Sequence, residues 1–429
     1  MNIIFLALTL VSFFFAGWRQ IADSPVAGED SPMAILSRAI IESATGSVEL
    51  ALGLVGVMAL FLGLMKIAEE GGMLTFLARL ICPLMIRLFP NIPPDHPAMG
   101  AMILNLSANA LGLGNAATPF GIKAMQELDK LNRQKGTATD SMVLFIAINT
   151  SSVTLLPTGV IALRAAAGSA DPAGILPTTL FATIGSTLTA ILAAKLYRHF
   201  FPAPGIEKTG DNSGKKEITD EKTDMIQPDT SYPLWVSIMA LGGLVALVPC
   251  AVFFGKAASP WIIPGLMVGF LTFGIIKKIR IYEVFIEGAK EGFNVALKII
   301  PFLVAILVGV GMFRASGAME IIVGFLGKWT NMFNLPPEAL PMALLRPLSG
   351  SGAYGILASV INDPATGPDS YTGYLVSTLQ GSTETTFYVL AVYFGAVQVK
   401  KIRHAMITAI TADVAGVLFA VIACTYLLG

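Results

Sequence analysis

Seven residues, Gln380-Gly381-Ser382-Thr383-Glu384-Thr385-Thr386, interrupt what would otherwise be one long apolar helix, with apolar runs at 371–379 before them and 387–397 after. Hydrocarbon offers no partner to free backbone groups. A polar, glycine-containing break at bilayer depth must therefore be buried in protein or line a wet cavity. An ionisable residue there costs about 2.5–3.5 kcal/mol on insertion scales, so its default reading is functional. The stretch reads as a broken helix lining a solute site.

Composition supplies the bilayer. Of 429 residues, 54% are hydrophobic and 13% charged, against about 25% charged in soluble domains; mean hydropathy is +0.72. Net charge is zero, so no nucleic-acid partner is expected. Cys82, Cys250 and Cys424 lie far apart and form neither a disulfide framework nor a metal motif. His96, His199 and His404 have no metal-ligand spacing, and no nucleophile–base set or phosphate loop is present. The run Ile3 to Trp18 lacks a basic flank and a cleavage site, so a retained membrane helix is expected rather than a signal peptide.

The chain contains its own architecture twice. Residues 40–52 match 285–297, with Glu42 over Glu287 at an offset of 245. Asn91-Ile92-Pro93-Pro94-Asp95 matches Asn334-Leu335-Pro336-Pro337-Glu338 at 243, and Leu106-Ser107-Ala108-Asn109 matches Leu348-Ser349-Gly350-Ser351 at 242. Asn149-Thr150-Ser151-Ser152 lies over Gln380-Gly381-Ser382-Thr383 at 231. Each copy reads as a membrane helix (3–18; 261–276), an amphipathic segment (33–45; 280–292) and a second membrane helix (48–68; 294–314). A surface-lying stretch follows (72–89; 318–333), then two interrupted elements (98–125 and 140–164; 339–361 and 371–397) and a closing helix (175–197; 405–428).

Four divisions are expected: a first repeat at 1–201, a polar cytoplasmic linker at 202–232, an extra helix at 233–256 and a second repeat at 257–429. Lysine and arginine mark cytoplasmic loops. They cluster at 123–135, 195–198, 277–280 and 400–403, and are missing from 168–174 and 362–370. The first interrupted element of each copy must then enter and leave on one face, from opposite sides in the two copies. The expected fold is an all-α polytopic membrane protein, an inverted repeat with two re-entrant helical hairpins and two broken helices. About nine spans are expected, with the N-terminus inside and the C-terminus outside. Such repeats meeting at the midplane are a recurring transporter plan.

The first hairpin tip, Asn105 to Pro119, carries Asn105, Ser107, Asn109 and Asn115; helix ends there can hold a solute or ion through their dipoles. The plainer reading is helix capping, which accounts for about two such residues. The second tip, Arg346 to Gly355, places Ser349 and Ser351 like Ser107 and Asn109. Arg346 meets an anionic solute group, pairs with Glu384, or snorkels to the interface. The broken helices offer Asn149, Thr150 and Ser151 in one copy and Gln380, Ser382, Thr383 and Glu384 in the other. Back-bonding of hydroxyls within an intact helix is the bland alternative. Glu384 has no carboxylate counterpart (Val153 lies there), which makes it the leading residue for sodium or proton coupling. Asp413 in the last helix is a second coupling candidate or a packing residue. The aromatics near the tips are Tyr354 and Phe387.

At these residues a family resemblance emerges. N-L-S-A-N-A-L-G-L-G-N-A-A-T-P-F-G-I-K-A-M at 105–125 resembles spore maturation protein A. R-P-L-S-G-S-G-A-Y-G at 346–355 and Q-G-S-T-E-T-T-F-Y-V-L-A-V-Y-F-G at 380–395 resemble spore maturation protein B. The chain looks like a fusion of the two, within the nucleoside-recognition or Gate group, which is similar to parts of concentrative nucleoside transporters and of ferrous iron transporter B. The resemblance implies a two-hairpin transporter fold in the bacterial inner membrane, with the solute and a sodium ion held at tips and breaks; no other cofactor is expected. The partners expected are a small solute and the lipid bilayer, with self-association left open. The first functional expectation is a secondary transporter of a small polar solute. A non-transporting envelope factor that binds a ligand or partner is the alternative, and an intramembrane enzyme using Asp413 or Glu384 ranks last.

Overall fold

Among the described residues of the computed structural model, helix is the regular structure, apart from one isolated bridge between Thr137 and Lys401. The structure describes residues 2–22, 30–112, 117–201, 261, 263–319, 321, 324–325 and 330–428, plus seven positions between 233 and 246. The first half runs α1 (Asn2–Ala22), α2 (Pro32–Glu70), α3 (Met73–Leu88), α4 (Pro97–Ala110), α5 (Ala117–Leu131), α6 (Asp140–Thr150), α7 (Thr158–Ala166) and α8 (Leu176–Tyr197). The second runs α9 (Ile263–Ile276), α10 (Ile281–Ala315), α11 (Leu340–Leu345), α12 (Gly350–Ile361), α13 (Tyr371–Ser382), α14 (Thr386–Ala396) and α15 (Ala405–Leu428).

Two expected boundaries vanish. Segments 33–45 and 48–68 fuse into α2, and 280–292 and 294–314 fuse into α10. Ala44-Thr45-Gly46-Ser47 has turn composition, but the Ser47 hydroxyl donates back to the Ser43 carbonyl and the helix continues. At 39 residues, α2 is about 58 Å long, nearly twice the roughly 30 Å of a hydrocarbon core. The two long helices run antiparallel. Gly311 lies on Ser43, Gly292 on Met58 and Ala59, and Gly288 on Leu62 and Lys66, so numbers rise along one helix as they fall along the other. Small residues let the backbones approach closely.

That seam is its own image. Adding the repeat offset of 245 turns Ser43 into 288 and Lys66 into 311, so the Ser43–Gly311 contact maps onto the Lys66–Gly288 contact. Self-complementary pairing of this kind is the mark of a two-fold axis. Here the axis crosses the helices and turns one copy upside down. The closing helices repeat the arrangement. Phe181 meets Phe419 at 5.9 Å, the Ser186 hydroxyl donates to the Ala412 carbonyl at 2.8 Å, and Tyr197 reaches Thr411 at 3.2 Å, again antiparallel. Gly185 and Gly416, 231 apart, both lie at that crossing.

Three described helices are long and apolar enough to span a membrane: Phe5–Ala22, Leu176–Tyr197 and Ala405–Tyr426. Val55–Glu70 and Met73–Leu88 are apolar enough together but bent by 66°, the geometry of either a broken span or a re-entrant loop. The expected total of about nine also counts the short broken elements and the helix over 234–254, most of which lies outside the described residues, as does the linker 202–232. Two buried cores flank the middle of the molecule. Met99, Met102, Met142 and Phe145 belong to one, and Ile161, Leu357, Leu375 and Leu379 to the other.

Candidate functional site

Both breaks are real interruptions of backbone. α6 stops at Thr150 and α7 begins at Thr158; α13 stops at Ser382 and α14 begins at Thr386. The helices leading into them start alike: Thr139 accepts from Met142 N at 3.2 Å and Ser370 from Gly373 N at 2.9 Å, caps 231 residues apart. Each hairpin tip then docks on the break of its own copy. Leu155 N donates to the Ala110 carbonyl at 2.8 Å, and Phe387 N donates to the Pro347 carbonyl at 3.1 Å. One further bond, from Glu384 N to the Thr150 carbonyl at 3.0 Å, joins the two breaks to each other. The interrupted segments therefore converge, between the two cores.

The first copy builds a neutral side of this convergence. Asn109 donates through Nδ2 to Asn149 Oδ1 at 2.9 Å, linking tip to break, while Asn149 Nδ2 donates to the Phe145 carbonyl at 2.9 Å. Asn105 closes the hairpin: its Nδ2 donates to the Ala117 carbonyl at 2.8 Å and to the Tyr393 hydroxyl at 3.1 Å. Asn105 Oδ1 and Ser107 Oγ are buried without a hydrogen-bond partner among the described residues. Gly112 sits at φ +72°, and a side chain there would strike the Leu156 carbonyl, so tip and break touch through bare backbone. Thr150 and Ser151 donate to the Ala147 carbonyl, the back-bonding of an ordinary helix end. The Ser151 carbonyl accepts from Thr187 of α8. Asn115 lies outside the described residues.

The second copy builds a charged side. Arg346 is 6% exposed. Its Nε donates to the Gln380 carbonyl at 3.1 Å and one terminal nitrogen donates to Thr385 Oγ1 at 3.0 Å, so it closes the C-terminal end of α13. Glu384 Oε2 stands 3.8 Å from the other terminal nitrogen, with its side chain 45% exposed against 8% for the arginine. The alternative of pairing with Glu384 thus holds in a loose form, and the arginine does not snorkel outward. Gln380 Oε1 is buried without a partner among the described residues, and the Tyr354 hydroxyl faces the Gln380 side chain. Ser349 is a cap, accepting from Gly352 N at 3.0 Å. Ser351 is half-buried on α12. Ser382 donates to the Leu379 carbonyl, and Thr383 packs its methyl group on Gly416. Asp413 is 6% exposed and accepts from Thr386 Oγ1 at 2.9 Å, fixing the first residue of α14.

Two arginines outside the breaks were not singled out by the sequence. Arg164 of α7 is fully buried. It donates to the Pro368 carbonyl at 2.5 Å, Asp369 Oδ1 at 3.0 Å, the Asp171 carbonyl at 3.1 Å and Ser169 Oγ at 3.2 Å, and it lies 4.1 Å above the Tyr374 ring. Arg403 donates to Asp140 Oδ1 at 2.6 Å and to the Ala138 and Phe201 carbonyls at 3.1 Å. Each arginine grips the residues beside the N-cap of the other copy's broken helix. α8, whose 22 residues extend about 33 Å, separates the two grips. A signal did exist: loops 168–174 and 362–370 hold Asp171 and Asp369 with no lysine or arginine, and both lie beside the one basic residue of α7.

Comparisons with known proteins identify the family. The family model for nucleoside recognition, named Gate, matches residues 51–167 and 296–400, just over half the chain. Spore maturation protein A of Bacillus subtilis (strain 168) is 41% identical over 196 residues, 46% of this chain and 94% of that protein. Spore maturation protein B of the same organism is 46% identical over 167 residues, 39% of this chain and 93% of that protein. A solved structure of a doubly substituted CNTnw in an outward-facing state aligns over 98% of this chain and 91% of that one, at 14% identity and a TM-score of 0.39. The chain therefore belongs to the nucleoside-recognition (Gate) family of membrane proteins, and carries in one polypeptide what its two Bacillus relatives carry in two.

Proposed function

We propose that this chain is a secondary active transporter that moves a small polar solute, nucleoside-like or another small metabolite, across the bacterial inner membrane, with its N-terminus in the cytoplasm. Sodium or protons drive it, and the site lies where the hairpin tips meet the breaks. The observation that carries the reading is the Glu384 N to Thr150 O bond, which ties together two interrupted helices from oppositely oriented copies. Discontinuous helices at such a junction present backbone N–H and C=O ends to solute and ion. Glu384, half-exposed beside a buried arginine, is the leading candidate for coupling. Asp413 holds the start of α14 through Thr386 and is the second coupling candidate.

Reconstitution into liposomes tests this. Uptake of uridine, L-alanine, L-alanyl-L-alanine and succinate is followed under an inward sodium or proton gradient. Gradient-driven uptake of one class is expected, and Glu384→Gln should abolish it with elution volume and melting point unchanged. Undiminished uptake by that variant removes Glu384 from the coupling role. The names of the two Bacillus relatives favour a second reading, an envelope factor that binds a ligand or partner and carries no flux. Purified liposomes that pass neither solute nor ion support it.

A further inference from the structure

The function proposed above leaves the solute class open, and the charges at the second break narrow it. Arg346 has five N–H donors; one goes to the Gln380 carbonyl and one to Thr385, and the second terminal nitrogen stands 3.8 Å from Glu384. That separation is too long for a direct charge-assisted bond. The carboxylate lies at the open side, since Glu384 is 45% exposed, and the guanidinium lies at the deep side. Gln380 of the same break, itself 3% exposed, carries an acceptor, Oε1, with no hydrogen-bond partner among the described residues, on a side chain that the Tyr354 hydroxyl faces. The second break thus asks for an acceptor at its deep side and for donors at its open side.

Charge decides which solutes qualify. Seating a neutral molecule between the buried arginine and the half-exposed Glu384 takes the nearer countercharge from the guanidinium and gives nothing in return, which is unfavourable. A solute carrying an ammonium and a carboxylate replaces each lost partner with an opposite charge. It also brings extra N–H donors, which suit Gln380 Oε1. We infer that the site at the second break takes a zwitterionic solute, an α-amino acid or short peptide, with its carboxylate on Arg346 and its ammonium on Glu384 and Gln380. Arginine suits a carboxylate because its planar fork can meet both oxygens at once.

The test uses the purified full chain in detergent and reads its melting temperature. The probes are L-alanine, L-alanyl-L-alanine, N-acetyl-L-alanine, L-alaninamide and uridine, since a ligand that binds only the folded state raises that temperature by mass action. Alanine or the dipeptide should raise it, and each singly blocked form should lose the effect. Arg346→Lys and Glu384→Gln should each weaken alanine binding about tenfold or more. Three results would overturn the inference: a shift with uridine and none with alanine or dialanine, equal shifts with the blocked and unblocked forms, or no shift with any zwitterion up to millimolar concentration. Should either variant fail to fold, the blocked compounds decide on the native chain alone. Alanine binding without flux in liposomes would sink the transporter reading and leave this one standing; uridine uptake without alanine binding would do the reverse.

Discussion

The two breaks share a plan and differ in chemistry. In the first copy, residues 151–157 separate the half-helices, and tip meets break through amides and bare glycine backbone. In the second, only 383–385 intervene, and the same junction is made by an arginine with a carboxylate beside it. Their helices start at matching caps and their tips dock with matching backbone bonds. Common geometry with unequal charge teaches that the duplication supplied the frame, while the charged groups were concentrated in one half.

Substitutions can break or sharpen that contrast. The largest effect is expected from Gly112→Val, which sets a β-branched residue at φ +72° and drives it into the Leu156 carbonyl. Strain and overpacking together should remove about 3–5 kcal/mol, read as lost monodisperse protein and a lower melting point. Position 354, which lies over 112 at the offset of 242, already holds a tyrosine, so Tyr354→Phe should cost far less. Next comes Arg346→Met, which strands the Gln380 carbonyl and leaves Glu384 alone; with Glu384 partly hydrated, about 2–4 kcal/mol is expected. Asn149→Ala, its neutral opposite number, should lose about 1 kcal/mol. Double-mutant cycles would sharpen the comparison. The Arg346–Thr385 pair should couple more strongly than Asn109–Asn149, and equal coupling would erase the distinction drawn here.

The smallest effect concerns pH. His404, in the loop that Arg403 occupies, is buried, and burial first, then the neighbouring guanidinium, holds its imidazole below the usual 6.5. The unfolded chain therefore binds that proton more readily. The stability His404 contributes is complete above pH 6.5 and drains away as pH falls from there through the lowered folded value. The corresponding position in the first copy, 404 − 231 = 173, is alanine. Acid should thus loosen only one end of the molecule. His404→Phe should flatten the melting-point profile below pH 6.5.

Much of this was readable in the chain. Drifting offsets identified the two copies, and glycine and hydroxyl clusters at bilayer depth marked both breaks, because polar backbone there has few other uses. Ser349 is a helix cap, a role weighed only for the first tip, whereas Asn105 and Asn109 of that first tip tie it to neighbours. The continuity of α2 and α10 was hidden because Ala44-Thr45-Gly46-Ser47 carries turn-like residues, and only the partner helix across the seam reveals why no turn forms. Tyr393 and Arg164 escaped notice for a related reason. Their partners lie 288 and 205 residues away, and local pattern says nothing of pairings that distant.

The crossed grips of Arg164 and Arg403 make the halves mutually strapped, each buckled by the other at one end. Together with the α2–α10 seam, they make the covalent tie between 201 and 233 redundant for holding the assembly. A protease nick anywhere in 202–232 should leave two fragments that travel as one particle in detergent and part only under denaturant. One polypeptide would then be, mechanically, a heterodimer that happens to be spliced.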